Sequence, residues 1–215
     1  MGAEAAAAPS LAGRAAGQAA LILASASPAR AALLAQAGVP CATEPAAIDE
    51  EEVKVALKAA GADAAKVAET LAELKAQRVS SRHPGALVIG ADQVLECGGV
   101  WFDKPADSGR ARNDLLALRG KSHDLVTCVC VVRDGQRLWH HTSRATLHMR
   151  EFSETFLESY LTAVGAEALE SVGAYQLEGL GVQLFARIDG DYFSILGLPL
   201  LPLLDFLRGH GIVMP

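Results

Sequence analysis

Residues 122–133 and 136–149 read as two long strands on either side of Asp134-Gly135, and this pair constrains the fold more than any other stretch of the chain. An Asp-Gly pair supplies the positive φ angles that a two-residue hairpin turn demands, so the two runs should lie antiparallel. Helices and further strands surround them. Leu21–Ala24 reads as a buried strand and Pro28–Ala37 as a helix stopped by Gly38, with a short extended piece near Cys41. An acidic segment, Ile48-Asp49-Glu50-Glu51-Glu52, reads as a loop. Residues 63–82 have helical composition, with Val67, Leu71 and Leu74 on one face and Lys75 one residue beyond it. Ala86–Gly90 reads as a second buried strand leading into Ala91-Asp92-Gln93, and Val94–Cys97 with Val100–Phe102 as a hairpin. Helices are expected at 108–119, about 153–164 and about 200–208, with a loop and hairpin over 173–188. This mixed order implies an α/β fold whose sheet contains antiparallel pairs.

At 215 residues with 51% hydrophobic content, the chain can bury a full core without disulfides or metal. One domain over 21–215 is expected, preceded by a disordered Ala/Gly-rich extension over residues 1–20. A net charge of −6 argues against stable nucleic-acid binding, which needs a basic excess to exchange for counterions. A small polyanion remains compatible with it if a few cations cluster. Nothing approaches the ~18 apolar residues of a membrane span. Cys41, Cys97, Cys128 and Cys130 form no CxxC pair and lie in apolar surroundings, so they read as reduced core residues of a cytoplasmic protein.

Chemistry concentrates at a few points. In Leu21–Arg30 an apolar run ends in Ser25, Ser27, Pro28 and Arg30 where a helix begins. Free N–H groups at a helix start, with two hydroxyls and a guanidinium, make an anion-binding turn, although Ser-x-Ser-Pro also serves as a simple cap. Asp92 follows an apolar strand, where a carboxylate is placed to face a cleft; a turn aspartate is the plainer reading. Lys75 and Lys104 would flank the same cleft, or stand alone as solvated lysines. The six histidines show no metal-ligand spacing, and no P-loop segment exists.

Taken in order, Ser-x-Ser-Pro-x-Arg, the acidic segment, Leu71-Ala72-x-x-Lys75-Ala76, Gly90-Ala91-Asp92-Gln93 and Lys104-Pro105 resemble the Maf family of nucleoside triphosphate pyrophosphatases. The match continues through Leu118–His123, Thr127, Glu178-Gly179-Leu180-Gly181 and Gly197–Leu200, spanning 21–210. The resemblance implies a mixed central sheet with two α/β lobes around a deep cleft, similar to ITPase-like folds. It also implies hydrolysis of a nucleoside triphosphate to monophosphate and pyrophosphate. Asp92 would be the proton acceptor, with Glu50, Lys75 and Lys104 completing the catalytic set and Ser25, Ser27 and Arg30 binding substrate. A bare aspartate with a pKa of about 3.9 is a weak base for water. A divalent cation, Mg2+ or Mn2+, held by Glu50 and Asp92 would assist it.

Three positions, Gln93, Glu178 and Ala29, bear on the base. Gln93 and Glu178 match the family branch acting on 7-methyl-GTP, where the dTTP and UTP branch has Thr and Gln. Ala29 replaces the usual Arg or Trp, and Thr70 stands where Arg commonly precedes the lysine motif. A regulatory nucleotide- or nucleic-acid-binding role in septum formation, without catalysis, is the alternative; retention of Asp92, Glu50, Lys75 and Lys104 together favours the enzyme. Monomer or homodimer is left open.

Overall fold

A computed structural model describes residues 20–214, in which seven strands and seven α-helices alternate. The expected disorder of the Ala/Gly-rich extension falls, Ala20 apart, outside that range. Strand β1 (Leu21–Leu23) leads into α1 (Pro28–Gln36), whose first turn carries Pro28 where no amide donor is needed. Strand β2 (Ala42–Thr43), α2 (Glu50–Ala59) and α3 (Ala64–Ser80) follow. Next come β3 (Leu87–Cys97), β4 (Val100–Phe102), α4 (Ser108–Leu118), β5 (Ser122–Arg133) and β6 (Gln136–Met149). The chain closes with α5 (Glu154–Val164), three short 3-10 turns over 165–184, β7 (Phe185–Asp189), α6 (Tyr192–Ile195) and α7 (Leu200–Gly209).

One sheet collects all seven strands in the order β2-β1-β3-β5-β6-β7, with β4 also paired to β3. The β1–β2 and β1–β3 pairs are parallel and the rest antiparallel, so the sheet is mixed as expected. On the edge of β3 away from β5, β1 pairs with residues 87–89 and β4 with residues 95–97. Residues 90–94 of that edge therefore face a gap between two partner strands. Residue alternation sends Val88, Val126, Cys128 and Cys130 to a core under α3, and Leu87, Ile89, Val129 and Val131 to a core under α1 and α7. A third core, built on Leu95, Leu115, Leu147, Leu157 and Tyr175, packs α4 and α5 at the far end of the long strands. No helix among the described residues is long and apolar enough to cross a membrane.

The structure corrects several expectations. The acidic segment is not a loop: Asp49 caps α2 by accepting from the Glu52 amide at 3.0 Å, and Glu50, Glu51 and Glu52 fill a first turn whose dipole favours negative charge. Lys75 lies on the buried face of α3 with Val67, Leu71 and Val79, while Leu74 sits beside that face half-buried. Asp92 is not at a strand end but inside the unbroken β3. The hairpin over 173–188 is absent; only β7 forms there, pairing with β6, because Gly173 and Ala174 take positive φ and Gly181 packs where a Cβ would lie 2.4 Å from the Gln176 carbonyl oxygen.

Candidate active site

The gap beside β3 opens into a cleft of about 860 Å³. Ser25, Ser27, Ala29 and Arg30 line it from the turn into α1, Glu50 from α2, Lys75 from α3, Asp92 and Gln93 from β3, Lys104 from the loop after β4, and Glu178 from the 3-10 segment. Asp92 and Gln93 point to opposite faces of the strand, yet both reach the cleft because no partner strand covers the edge between them.

Asp92 is 4% exposed, and its Oδ1 accepts from Lys75 Nζ at 2.6 Å. The same ammonium meets Glu50 Oε1 at 2.9 Å, so one buried lysine joins two carboxylates. Asp92 Oδ2 is buried without a hydrogen-bond partner among the described residues. Burial raises the Asp92 pKa above the ordinary carboxylate value, opposed by the charges of Lys75 and Arg30. A buried carboxylate with one oxygen unsatisfied is costly, and the pattern points to a ligand or proton that completes it.

Arg30 is braced rather than free. Its Nε donates to the Gly197 carbonyl at 2.7 Å, and Nη1 donates to the Ala91 carbonyl at 2.9 Å and to Ser25 Oγ at 3.3 Å. The Ala91 carbonyl belongs to the uncovered edge of β3, so the guanidinium takes the place of a missing strand and leaves Nη2 for an anion. Ser27 caps α1 by accepting from the Arg30 amide at 3.4 Å, and Ser25 Oγ accepts from the Ser27 amide at 3.1 Å. Both serines thus shape the turn as acceptors, and their hydroxyl protons remain to donate.

Gln93 Nε2 donates to Thr127 Oγ1 at 2.8 Å and to the carbonyls of Ser194 and Ile195, each at 3.1 Å. Three acceptors identify that atom as the nitrogen and leave Oε1, an acceptor, for anything else. Glu178 and Lys104 are exposed, and Ala29 is half-buried. Two residues absent from the sequence reading also line the cleft: Lys54, one turn after Glu50 on α2, and Asp103, with which it forms an ion pair. Reading 48–52 as a loop hid Lys54; a helix begun at Asp49 places residues 50 and 54 on one face.

No group of three or more His, Cys, Asp or Glu side chains placed to hold a metal occurs among the described residues. Two carboxylates, Asp92 with its orphaned Oδ2 and Glu50, do suit a hard cation that takes its remaining ligands from phosphate oxygens and water, as Mg2+ commonly does.

A family profile described as "Maf-like protein" matches residues 20–210. This chain belongs to the Maf family. The Maf protein is 60% identical over 194 residues to a nucleoside triphosphate pyrophosphatase of Paramagnetospirillum magneticum, an alignment covering 90% of this chain and all of that one. It is 58% identical over 190 residues to a protein of the same description from Granulibacter bethesdensis, covering 88% and 96%. A 7-methyl-GTP pyrophosphatase of Mesorhizobium japonicum is 50% identical over 193 residues, covering 90% and 97%.

Proposed function

We propose that this Maf protein hydrolyses nucleoside triphosphates to nucleoside monophosphate and pyrophosphate, with Asp92 as the proton acceptor. The observation that carries the reading is Asp92 Oδ2, buried on the cleft floor without a partner while Oδ1 is held by Lys75. The identity to relatives described as nucleoside triphosphate pyrophosphatases supports the same reaction.

Water bonds to the α-phosphorus as Asp92 Oδ2 takes its proton; the bond from the α-phosphorus to the bridging oxygen breaks, and pyrophosphate leaves with the electron pair. The raised pKa makes Asp92 a stronger base than an exposed aspartate, and the Lys75 ammonium keeps it ionised and fixed in direction. Arg30 Nη2, the Ser25 and Ser27 hydroxyls and Lys104 bind phosphate oxygens and answer the charge that develops on the leaving group. A divalent cation held directly by Glu50 and by Asp92 only through water, so that Oδ2 stays free to take the proton, would supply a lowered pKa to that water and screen the triphosphate from the two carboxylates.

For the base, Gln93 offers only an acceptor, and Glu178 offers a second. Two acceptors suit the N1–H and N2–H donors of guanine, whereas uracil and thymine present one donor between two carbonyls. The preferred substrate is therefore a guanine nucleotide, and the cationic 7-methylguanine gains further from the Glu178 carboxylate. A nucleotide panel with Mg2+ tests both statements. Pyrophosphate and monophosphate in equal amounts, fastest with 7-methyl-GTP or GTP, is the expected outcome; orthophosphate with diphosphate would refute the reaction, and a dTTP or UTP preference would refute the base assignment alone.

A further inference from the structure

A second cavity of about 140 Å³ adjoins the main cleft and shares Glu51, Lys54 and Asp103 with it. The 3-10 segment carrying Glu178 contributes nothing to its wall, so it joins the cleft on the lysine side, away from the proposed base site. It is lined by Trp101, half-buried in β4, by Val94 and Phe102, and by the exposed Val55 of α2. Lys58 Nζ stands 5.4 Å from the Trp101 ring centroid. At about 140 Å³, comparable to cavities of about 150 Å³ that bind benzene, the second cavity has room for a base laid on the indole but not for the ribose as well. Glu51 and the Lys54–Asp103 ion pair line both spaces.

A pocket that served triphosphates alone would need cations at its phosphate end and nothing beyond them. Here Lys54 lines both spaces and Lys58 lines the second, where it stands over an indole. Glu51 and Asp103 are carboxylates of the kind that accept from ribose hydroxyls. We propose that the cleft is open-ended and that the protein also cleaves dinucleoside polyphosphates, with the second nucleoside stacked on Trp101. The step is the one already described and rests on that reading: water adds to the α-phosphorus, Asp92 takes the proton, and the bond to the bridging oxygen breaks. The leaving group is then a nucleoside polyphosphate instead of pyrophosphate. From diguanosine tetraphosphate the first products are GMP and GTP. Lys58, displaced from the ring face by the incoming base, is free to pair with the distal phosphates.

The test compares initial rates on diguanosine tetraphosphate and on GTP, with products separated by ion-exchange chromatography, for the wild type, Trp101→Ala and Lys58→Glu. Base stacking on an aromatic side chain contributes about 1–3 kcal/mol, so Trp101→Ala should lower kcat/KM for the tetraphosphate about tenfold or more and leave GTP within twofold. Lys58→Glu changes an exposed residue that does not threaten folding and should lower tetraphosphate use at least about fivefold with GTP unaffected. Turnover of GTP without any of the tetraphosphate overturns the proposal while leaving the pyrophosphatase reading intact. So does tetraphosphate cleavage that both variants keep at the wild-type ratio to GTP. Failure of the wild type on both substrates removes the pyrophosphatase reading and this extension together.

Discussion

Asp92 has to be buried enough to act as a base and charged enough to accept a proton, and Lys75 reconciles the two. Replacing Asp92 by Asn should preserve the fold and nucleotide binding but reduce turnover by at least about a hundredfold, the scale of a positioned acid or base. Near-normal steady-state turnover in that variant would take Asp92 out of the mechanism. The pH dependence follows from the same carboxyl. Its folded pKa is raised, and the ionised form is the active one, so kcat/KM should decline as pH falls through a value above the ordinary carboxylate range, with one proton taken up. An acid limb at or below about pH 4 would contradict the desolvated environment. Base choice is also decided by single atoms. Glu178→Gln should shift kcat/KM from guanine toward uracil and thymine nucleotides by about tenfold, since the amide can donate to their carbonyls. Glu178 is exposed and caps nothing, so this change tests selectivity without disturbing packing. Gln93→Thr is a less clean probe, because it strips partners from Thr127 and from the Ser194 and Ile195 carbonyls.

At the scale of elements, the site exists because α3 lies almost against β3. A Cβ built at Gly90 would lie 2.0 Å from the Ala72 carbonyl oxygen and 2.9 Å from Ala76 Cβ, and both belong to the helix that delivers Lys75. Gly90→Ala should therefore cost about 2–3 kcal/mol in urea unfolding and, by displacing α3, lower turnover in the molecules that remain folded. Unchanged stability would mean that the helix packs less closely than described. Elements set by local pattern were legible in the sequence: β5, β6 and their Asp134-Gly135 turn match residue for residue, and α1, α4, α5 and α7 differ by a residue or two at their ends. Elements set by tertiary context were not. Helix α2 buries no residue fully, and its apolar side is only Val53 and Leu57, a pair too short to stand out beside the acidic run that opens the helix, and the 173–188 segment has strand-like composition but is held in 3-10 turns by close backbone packing. The ten candidate site residues could be named from ordered motifs, whereas the Lys75 bridge, the brace on Arg30 and the Gln93–Thr127–Ser194 network join residues as far as 167 positions apart. Periodicity carries no trace of such pairings.

Across the whole molecule, the sheet supports a cleft with cores on both faces and a third at its far end, and one buried group ties that third core to the segment carrying Glu178. His123 on β5 meets the Tyr175 hydroxyl through Nε2 at 2.7 Å, and burial lowers its pKa to about 4. The folded protein therefore resists a proton that the unfolded chain binds below about pH 6.5. Stability from this group is complete above that pH and is lost as pH falls toward 4, by an amount on the order of 3 kcal/mol. Urea midpoints measured across this range should decline steeply for the wild type and more gently for His123→Gln; equal slopes would show that His123 is not the acid-sensitive group. These packing and charge arrangements serve one claim, that water directed by Asp92 attacks the α-phosphorus of a nucleoside triphosphate. Turnover in 18O-labelled water reads that claim most directly, by mass spectrometry of the products. One labelled oxygen in the nucleoside monophosphate and none in pyrophosphate is the expected outcome; label in pyrophosphate, or in orthophosphate released with a nucleoside diphosphate, would overturn attack at the α-phosphorus.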